Sequence, residues 1–600
     1  MPISVSELLR VPVILTFDLD KKGRTVIYSS NKEGTPQLYA LSAEPAQAHY
    51  GARKITEESD PVMFGFLSPE GDRLAYIVDK DGNEIHHLFL ISLDGRDVRK
   101  ITKTPRRTFG VSWHPNGKEI TRTFASMTSC GLETFDIENN ENLLLKEMPP
   151  VLNLHYSHDG KWIACTVMGE NRKEKIVILK RNDPADMVIH TVADDVKESN
   201  PIWSPNDREL AFVTETNGRG QIAIRSFQGE ETALLELPEE EEVPEDQDAV
   251  WDPDGKSIYY VSSRHGRATV FCYHIDGKKR EPMPFPMGTI RGIKMSADGK
   301  IMVALHDSMA SPSGIYVNRI GSHYSSRLTF DEHKIDMSKL VDAESIWFES
   351  SDGRQIHGWY LMAVSEHHPH PALLWIHGGP WAQVSDEWFT GCFLHCFSQS
   401  GFSVLAPNYR GSTGYGAQFQ NLSIGDPGGA DLEDIVCAAK WLCKQQNIEE
   451  AKIAIIGASY GGYPTLMALT KRPERFSAGV AIVPAISGLE MYDMLDPLSK
   501  KEIEKMMGGS PKEKQELYRD RSPFTHISKI RAPLMIIAGE KDARCPIEII
   551  KKFSSKLQEM CHPHELVIME KAGHISSRTE SEKNIENFTR MIDFLRKAMA

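Results

Sequence analysis

The stretch KIAIIGASYGGYPTLMAL, Lys452 to Leu469, decides how the second half of this 600-residue chain is read. Ile453, Ala454, Ile455 and Ile456 form a run of strand-favouring aliphatics that stops at Gly457-Ala458-Ser459-Tyr460-Gly461-Gly462. Pro464 then falls in the first turn of the helix expected next, where a missing N–H costs nothing. A glycine-flanked serine between a strand and a helix is the setting that presents a hydroxyl as a nucleophile. Such a serine needs a base to take its proton and an acid to orient that base.

Both partners stand downstream in the order that a strand–serine–helix turn requires, each after a candidate strand. Leu534–Ala538 runs into Gly539-Glu540-Lys541-Asp542, with Glu540 the only close competitor of Asp542. Glu565–Met569 runs into Glu570-Lys571-Ala572-Gly573-His574, whereas His562 and His564 precede that strand. Further candidate strands lie at Ala372–Ile376, Ser403–Ala406, Ile453–Ile456 and Ala478–Val483. Between two of them, DLEDIVCAAKWLCK (Asp431 to Lys444) carries apolar residues at helical spacing. Alternation of strand and helix after about Gly321 predicts a parallel sheet of the α/β hydrolase kind. The tetrahedral intermediate needs N–H donors; one is expected from Tyr460, the residue after the nucleophile. The other is expected from His377-Gly378-Gly379-Pro380, after the first of these strands.

The first half repeats a motif of apolar residues, a Ser/Asp-Pro-Asp-Gly-like turn and an alternating strand. Examples are GFLSPEGDRLAYI, VSWHPNGKEITRT and AVWDPDGKSIYYV. The turn positions are Gly23, Gly71, Gly117, Gly160, Asp207, Gly255 and Gly299, spaced 43 to 48 residues apart. That period, with polar turns between short strands, predicts a seven-bladed β-propeller. Asp207 departs from glycine, but Asp tolerates the left-handed region better than most residues. The acidic run Pro238–Asp246 is expected to be a solvated loop, the alternative being that it holds a substrate's free amino end. The expected division is residues 1–12 as an N-terminal segment, 13–325 as the propeller and 326–600 as the catalytic domain.

Composition narrows the partners. Apolar residues make up 40% and charged residues 25%, as in a soluble globular protein, and the net charge of −14 argues against nucleic acid and anionic membranes. No window approaches the roughly 20 apolar residues of a spanning helix. The opening MPISVSELLRVPVILTFDLD lacks the pattern of a signal peptide. Nine scattered cysteines without a CxxC pair suggest reduced thiols, a cytoplasmic location and no metal.

HGGPWA, NYRGSTGYG, IGDPGGADLEDI, GASYGGY, RSPFTHISKI and GEKDARCP behind such a propeller resemble the prolyl oligopeptidase family of serine peptidases. HGGP and the GDPGG segment look most like its acylaminoacyl peptidase branch. The resemblance implies catalytic Ser459, Asp542 and His574, and an oxyanion hole made by the N–H groups of Tyr460 and Gly379. It also implies a substrate-binding Arg544, two residues after the acid, against the plain alternative of a salt bridge that shapes the acid's loop. Short N-acylated peptides are the implied substrates, selected by the propeller, with esterase activity besides. No cofactor is called for, a homo-oligomer is compatible, and Ser4–Arg10 is expected as a helix docked on the catalytic domain. Rival readings are an oligopeptidase, a dipeptidyl peptidase, a carboxylesterase, or an interaction protein with an inert catalytic domain.

Overall fold

The computed structural model describes residues 2–600 except 127, 170–172, 190–195, 230, 245–246, 248, 331–334 and 576–579. Between Ile14 and Arg327 the chain forms five four-stranded antiparallel sheets and one eight-stranded sheet. The eight-stranded sheet consists of two successive meanders joined by a single parallel pairing, Ala268 with Thr289. Apolar clusters join each meander to the next, and Val26 and Tyr39 of the first pack with Val303 and Ile315 of the last. The result is a closed, propeller-like domain.

The repeat's residues explain its geometry. All six turn glycines have φ between +66° and +73°, and Asp207 has φ +56°, the region where a Cβ is costly. Asp207 has a compensation that glycine lacks, because its carboxylate accepts the N–H groups of His158 and Asp159 at 2.8 and 2.9 Å. Trp113 and Trp203, just before their turns, donate to the carbonyls of Phe66 and His155 in the preceding sheet at 2.9 and 3.2 Å. Burying such a ring contributes roughly 2–3 kcal/mol while its N–H stays satisfied.

In the C-terminal α/β part of the chain, eight strands lie in the order β1-β2-β4-β3-β5-β6-β7-β8. They are β1 (Glu344–Glu349), β2 (Gln355–Leu361), β3 (His370–Ile376), β4 (Ser403–Asn408), β5 (Ile448–Ala458), β6 (Ala478–Ile482), β7 (Leu534–Gly539) and β8 (His564–Met569). The β1–β2 and β2–β4 pairs are antiparallel, and the remaining pairs are parallel. The helices that matter below are α1 (Val5–Leu9), α2 (Trp388–Gln399), α3 (Ala430–Cys443), α4 (Gly462–Lys471), α5 (Pro497–Met507), α6 (Ile547–Glu559) and α7 (Ser581–Ala598). α3, α4 and α6 bury one face of the sheet, and α2 and α7 bury the other. Ser4 and Glu7 form a capping box that starts α1, and Leu8, Leu9 and Val11 join the α2–α7 core. Among the described residues, no helix is long and apolar enough to cross a membrane.

One sequence expectation is corrected. Glu239 and Glu240 of the acidic run are exposed, but Glu242 is buried; Glu245 and Asp246 lie outside the described residues. The Glu242 carboxylate accepts the N–H groups of Gly414 and Gly416, in the loop after β4, the latter at 2.8 Å. It is a contact between the domains, not a solvated side chain. Glu174 with Lys505 of α5 (3.0 Å) and Arg267 with Asp386 (2.9 Å) also cross between them.

Candidate active site

β5 ends at Ala458, and α4 begins at Gly462. Ser459 therefore occupies the bend, with φ +57°, a conformation that costs a non-glycine residue roughly 1–2 kcal/mol. The flanking glycines are required by close contact. A Cβ on Gly457 would lie 2.1 Å from the Gly461 carbonyl oxygen, and one on Gly461 would lie 2.1 Å from that of Ile376. Packing of the bend against β3 holds the strained serine at the carboxyl edge of the sheet.

Asp542 follows β7 and His574 follows β8, as their places in the sequence require. Asp542 Oδ1 accepts the N–H groups of Arg544 and Cys545 at 2.9 and 2.8 Å, and Oδ2 lies 2.8 Å from His574 Nδ1. A carboxylate held in this way keeps the imidazole proton on Nδ1, which leaves the Nε2 lone pair to accept the Ser459 hydroxyl at 2.8 Å. Both His574 and Asp542 are buried. The competing Glu540 instead accepts the Lys571 N–H, and burial plays little part in its environment. Asp542, Cys545 and His574 also present ligand atoms within 4.8 Å of one another, but the carboxylate and imidazole atoms are engaged in this relay.

Of the two residues expected to form the oxyanion hole, Tyr460 directly follows Ser459 and Gly379 lines the cavity that holds Ser459. Tyr460 begins the turn into α4, where the leading N–H groups have no intrahelical acceptor. Its phenol donates to Asp431 Oδ2 at 2.8 Å, and Asp431, pushed up to about 6 by burial, also accepts the N–H groups of Gly428 and Leu432. His377 stacks on Tyr409 with ring centroids 4.4 Å apart. Its Nδ1 and Nε2 lie 2.7 Å from the Gly378 carbonyl oxygen and 2.8 Å from Ser412 Oγ. Burial lowers its pKa to about 4, so it is neutral and acts as a brace for the loop. Gly379, at φ +124°, lines one cavity of about 400 Å³ together with Ser459, His574 and Arg544.

Arg544 and the Asp542 loop are also held from the propeller-like domain. Arg544 Nε donates to Glu84 Oε1 at 2.6 Å, and Glu84 also meets Arg107 at 3.1 Å. Burial pushes the Glu84 pKa up, but Arg544 and Arg107 outweigh it, so the carboxyl stays below the usual range. A few residues earlier on the same loop, the Gly82 carbonyl oxygen sits where a Cβ on Gly573 would fall, 1.4 Å away. Sequence reasoning missed both Glu84 and Glu242. The φ of +58° at Glu84 leaves no mark in NEIHHL, and the acidic composition around Glu242 points towards solvent.

A positioned serine, a histidine oriented by a buried carboxylate, and an α/β sheet presenting them at its carboxyl edge define a serine-hydrolase-type enzyme. Residues 389–600 match the model of the prolyl oligopeptidase family, and residues 126–365 match that of the TolB beta propeller domain. The chain is 30% identical to dipeptidyl peptidase family member 6 of Caenorhabditis elegans, across 94% of this chain and 74% of that protein. It is 28% identical to the acylamino-acid-releasing enzyme of Rattus norvegicus, across 36% of this chain and 30% of that one. A Mycobacterium tuberculosis puromycin-hydrolyzing peptidase superposes with a TM-score of 0.86 at 18% identity, covering 100% of this chain and 96% of that one. The chain belongs to the prolyl oligopeptidase family of serine peptidases.

Proposed function

We propose that this protein is a serine peptidase that removes a short N-terminal fragment, a dipeptide, from short peptides. The Ser459–His574–Asp542 relay carries the chemical part of this reading. Ser459 Oγ attacks the scissile carbonyl as His574 Nε2 takes the hydroxyl proton, and the Tyr460 and Gly379 N–H groups stabilise the oxyanion. The C–N bond breaks as His574 returns the proton to the leaving amine, giving an acyl-enzyme. Water then attacks that ester, with His574 again acting as base. Arg544, anchored through Nε by Glu84, binds a carbonyl oxygen of the peptide.

The dipeptidyl reading is supported by the nearly chain-long likeness to a dipeptidyl peptidase. The acylaminoacyl specificity expected from HGGP and Arg544 has the weaker support, because the acylamino-acid-releasing relative matches about a third of the chain. It stands as the second reading. We read the seven successive four-stranded meanders as seven blades over residues 13–325, with residues 326–600 as the catalytic domain and residues 1–12 docked on it. A second cavity of about 430 Å³, lined by Lys197, Glu215, Glu242 and Arg291 from one domain and by Trp381 and Gln383 from the other, would admit peptides and exclude folded proteins. Nine free cysteines suit a cytoplasmic location.

Peptides of one sequence with free, acetylated and formylated N-termini, with products identified by mass, test this reading. Release of a dipeptide from the free peptide is expected. Preferential release of a blocked residue would hand the assignment to the acylaminoacyl reading. Ser459→Ala should lower turnover by about 10⁴-fold or more with the fold intact; retention of a tenth of the activity would sink the mechanism.

A further inference from the structure

A further cavity, of about 540 Å³, lies between the propeller-like domain and Ser345 and Trp359 of β1 and β2. Phe271, Phe285, Met287 and Trp359 give it an apolar floor, and Met287, 81% exposed, marks its solvent end. Its size is that of a small-ligand site. Most of its charged groups are already engaged. Glu241 accepts from Ser262 and Arg280 at 2.7 and 2.8 Å, and Arg264 pairs with Glu240. Arg267 is different. Its Nε donates to Asp386 Oδ2 at 2.9 Å, but neither of its Nη groups has an acceptor among the described residues. The guanidinium lies over the Trp359 ring, 5.3 Å from the centroid, and the side chain is 47% exposed. Asp386 does not depend on Arg267 for its place, since Oδ1 accepts the Met309 N–H at 2.9 Å and its own N–H donates to the Gly266 carbonyl oxygen at 2.6 Å.

Shared walls put this cavity in line with the nucleophile. The catalytic cavity shares Ala382, Gln383 and Glu387 with the polar chamber between the domains. That chamber in turn shares Arg267 and Ala268 with the outer cavity. Ser459 therefore stands at one end of a connected series of spaces and Met287 at the other, with Arg267 at the last junction. A peptide held at Ser459 and laid along this path brings one of its ends to Arg267. A guanidinium repels an ammonium, whereas its planar fork matches a carboxylate with two parallel hydrogen bonds. The end that fits is the carboxyl end, and the apolar floor beside the fork suits the side chain of that same last residue.

We propose that Arg267 and the apolar floor beside it form an exosite for the C-terminal carboxylate and an apolar last side chain of the peptide substrate. The proposal rests on the serine-peptidase reading and adds a means of measuring length to it. Only a chain of the right span places its carboxylate at Arg267 while a carbonyl carbon meets Ser459.

The test is a ladder of peptides lengthened one residue at a time, each made as the free acid and as the C-terminal amide, with phenylalanine or glycine last. Over a narrow range of lengths, wild-type kcat/KM should be at least ~10-fold higher for the acid than for the amide, and the acid ending in phenylalanine should be the better of the two acids. In Arg267→Met the acid and the amide should be cut equally well. A p-nitrophenyl ester, too small to reach the outer cavity, should be turned over as in wild type. Met287→Ser, at an exposed position, should weaken the preference for phenylalanine and leave the acid–amide ratio in place. Equal turnover of acid and amide at every length in wild type would overturn the proposal without recourse to any variant. So would an acid–amide ratio that survives Arg267→Met, because the carboxylate would then be read elsewhere. Stimulation of ester turnover by 3-phenylpropionate, with acid and amide peptides cut alike, would make the cavity an effector site and overturn the peptide assignment. Absence of both ester and peptide turnover would instead sink the serine-peptidase reading, and the exosite with it.

Discussion

Two glutamates of the propeller-like domain, Glu84 and Glu242, reach into catalytic-domain loops and are buried to a similar degree, 4% and 7% exposed. Their neighbours resolve that burial in opposite ways. Glu84 meets the guanidinium groups of Arg544 and Arg107, and its carboxyl stays ionised below its ordinary range despite burial. Glu242 is held by the neutral N–H groups of Gly414 and Gly416, and burial pushes its pKa up to about 6. Lys197 attracts it only weakly, while Glu215 opposes it. Two neutral dipoles do not replace the hydration of a buried charge as two cations do. The first contact is a charged anchor beside the catalytic acid, and the second is a clasp whose charge is costly.

The sharpest way to break this contrast is Glu84→Ala. Removing it strips Arg544 of its anchor and leaves Arg107 with Asp496, at 2.6 Å. Losing one partner of a buried pair costs about 3–5 kcal/mol; half-exposed Arg544 and the surviving Arg107–Asp496 pair reduce the expectation to roughly 2–3 kcal/mol. Urea unfolding at neutral pH should show that loss, and kcat/KM should fall as Arg544 loses its fixed position. A cost below about 0.5 kcal/mol would show that the pair is not an anchor. Because the folded pKa of Glu84 is lowered, its contribution is present above the ordinary carboxylate pKa of 4.5 and is lost as pH falls through the lower folded value.

The same contrast explains what was legible in the sequence. The bend at Ser459 and the seven turns were readable because each is decided within a few residues: a strand must reverse, and glycine or aspartate takes positive φ. Asp542 and His574 were readable from chain order, since each stands in the loop that follows a strand of a parallel sheet. Glu84 and Glu242 depend on loops 460 and 172 residues further along the chain, and nothing local separates Glu242 from the exposed glutamates beside it. The β1–β2 pair was missed for a related reason. β1 is largely exposed, so it carries no continuous apolar run to mark a strand beside a buried sheet.

Glu242→Gln tests the second member with a smaller effect of a different sign. A raised folded pKa means that its favourable contribution is complete below the unfolded value of 4.5 and is lost as pH rises through about 6. Wild type should therefore gain on the glutamine variant as pH falls from about 7 to 4.5, by about 2 kcal/mol for a shift of this size. At neutral pH the glutamine keeps one carbonyl oxygen for the glycine N–H groups and buries no charge, so its stability should lie within about 1 kcal/mol of wild type. Parallel unfolding-versus-pH curves for the two proteins would refute the proposed cost of the buried charge.

Glu240→Ala sets the lower end of the scale. Glu240 stands two residues before Glu242 in the same acidic run and pairs with Arg264, but both side chains are more than half exposed. Water and salt screen such a pair, and fixing two long side chains offsets the attraction that remains. Its removal should change stability by less than about 0.5 kcal/mol and leave the pH dependence of unfolding unaltered. An effect as large as that of Glu242→Gln would mean that the whole acidic run acts together at the domain boundary. A negligible one assigns the pH dependence to the single carboxylate that leaves solvent, so burial at Gly414 and Gly416, and not acidic composition, makes this segment a contact.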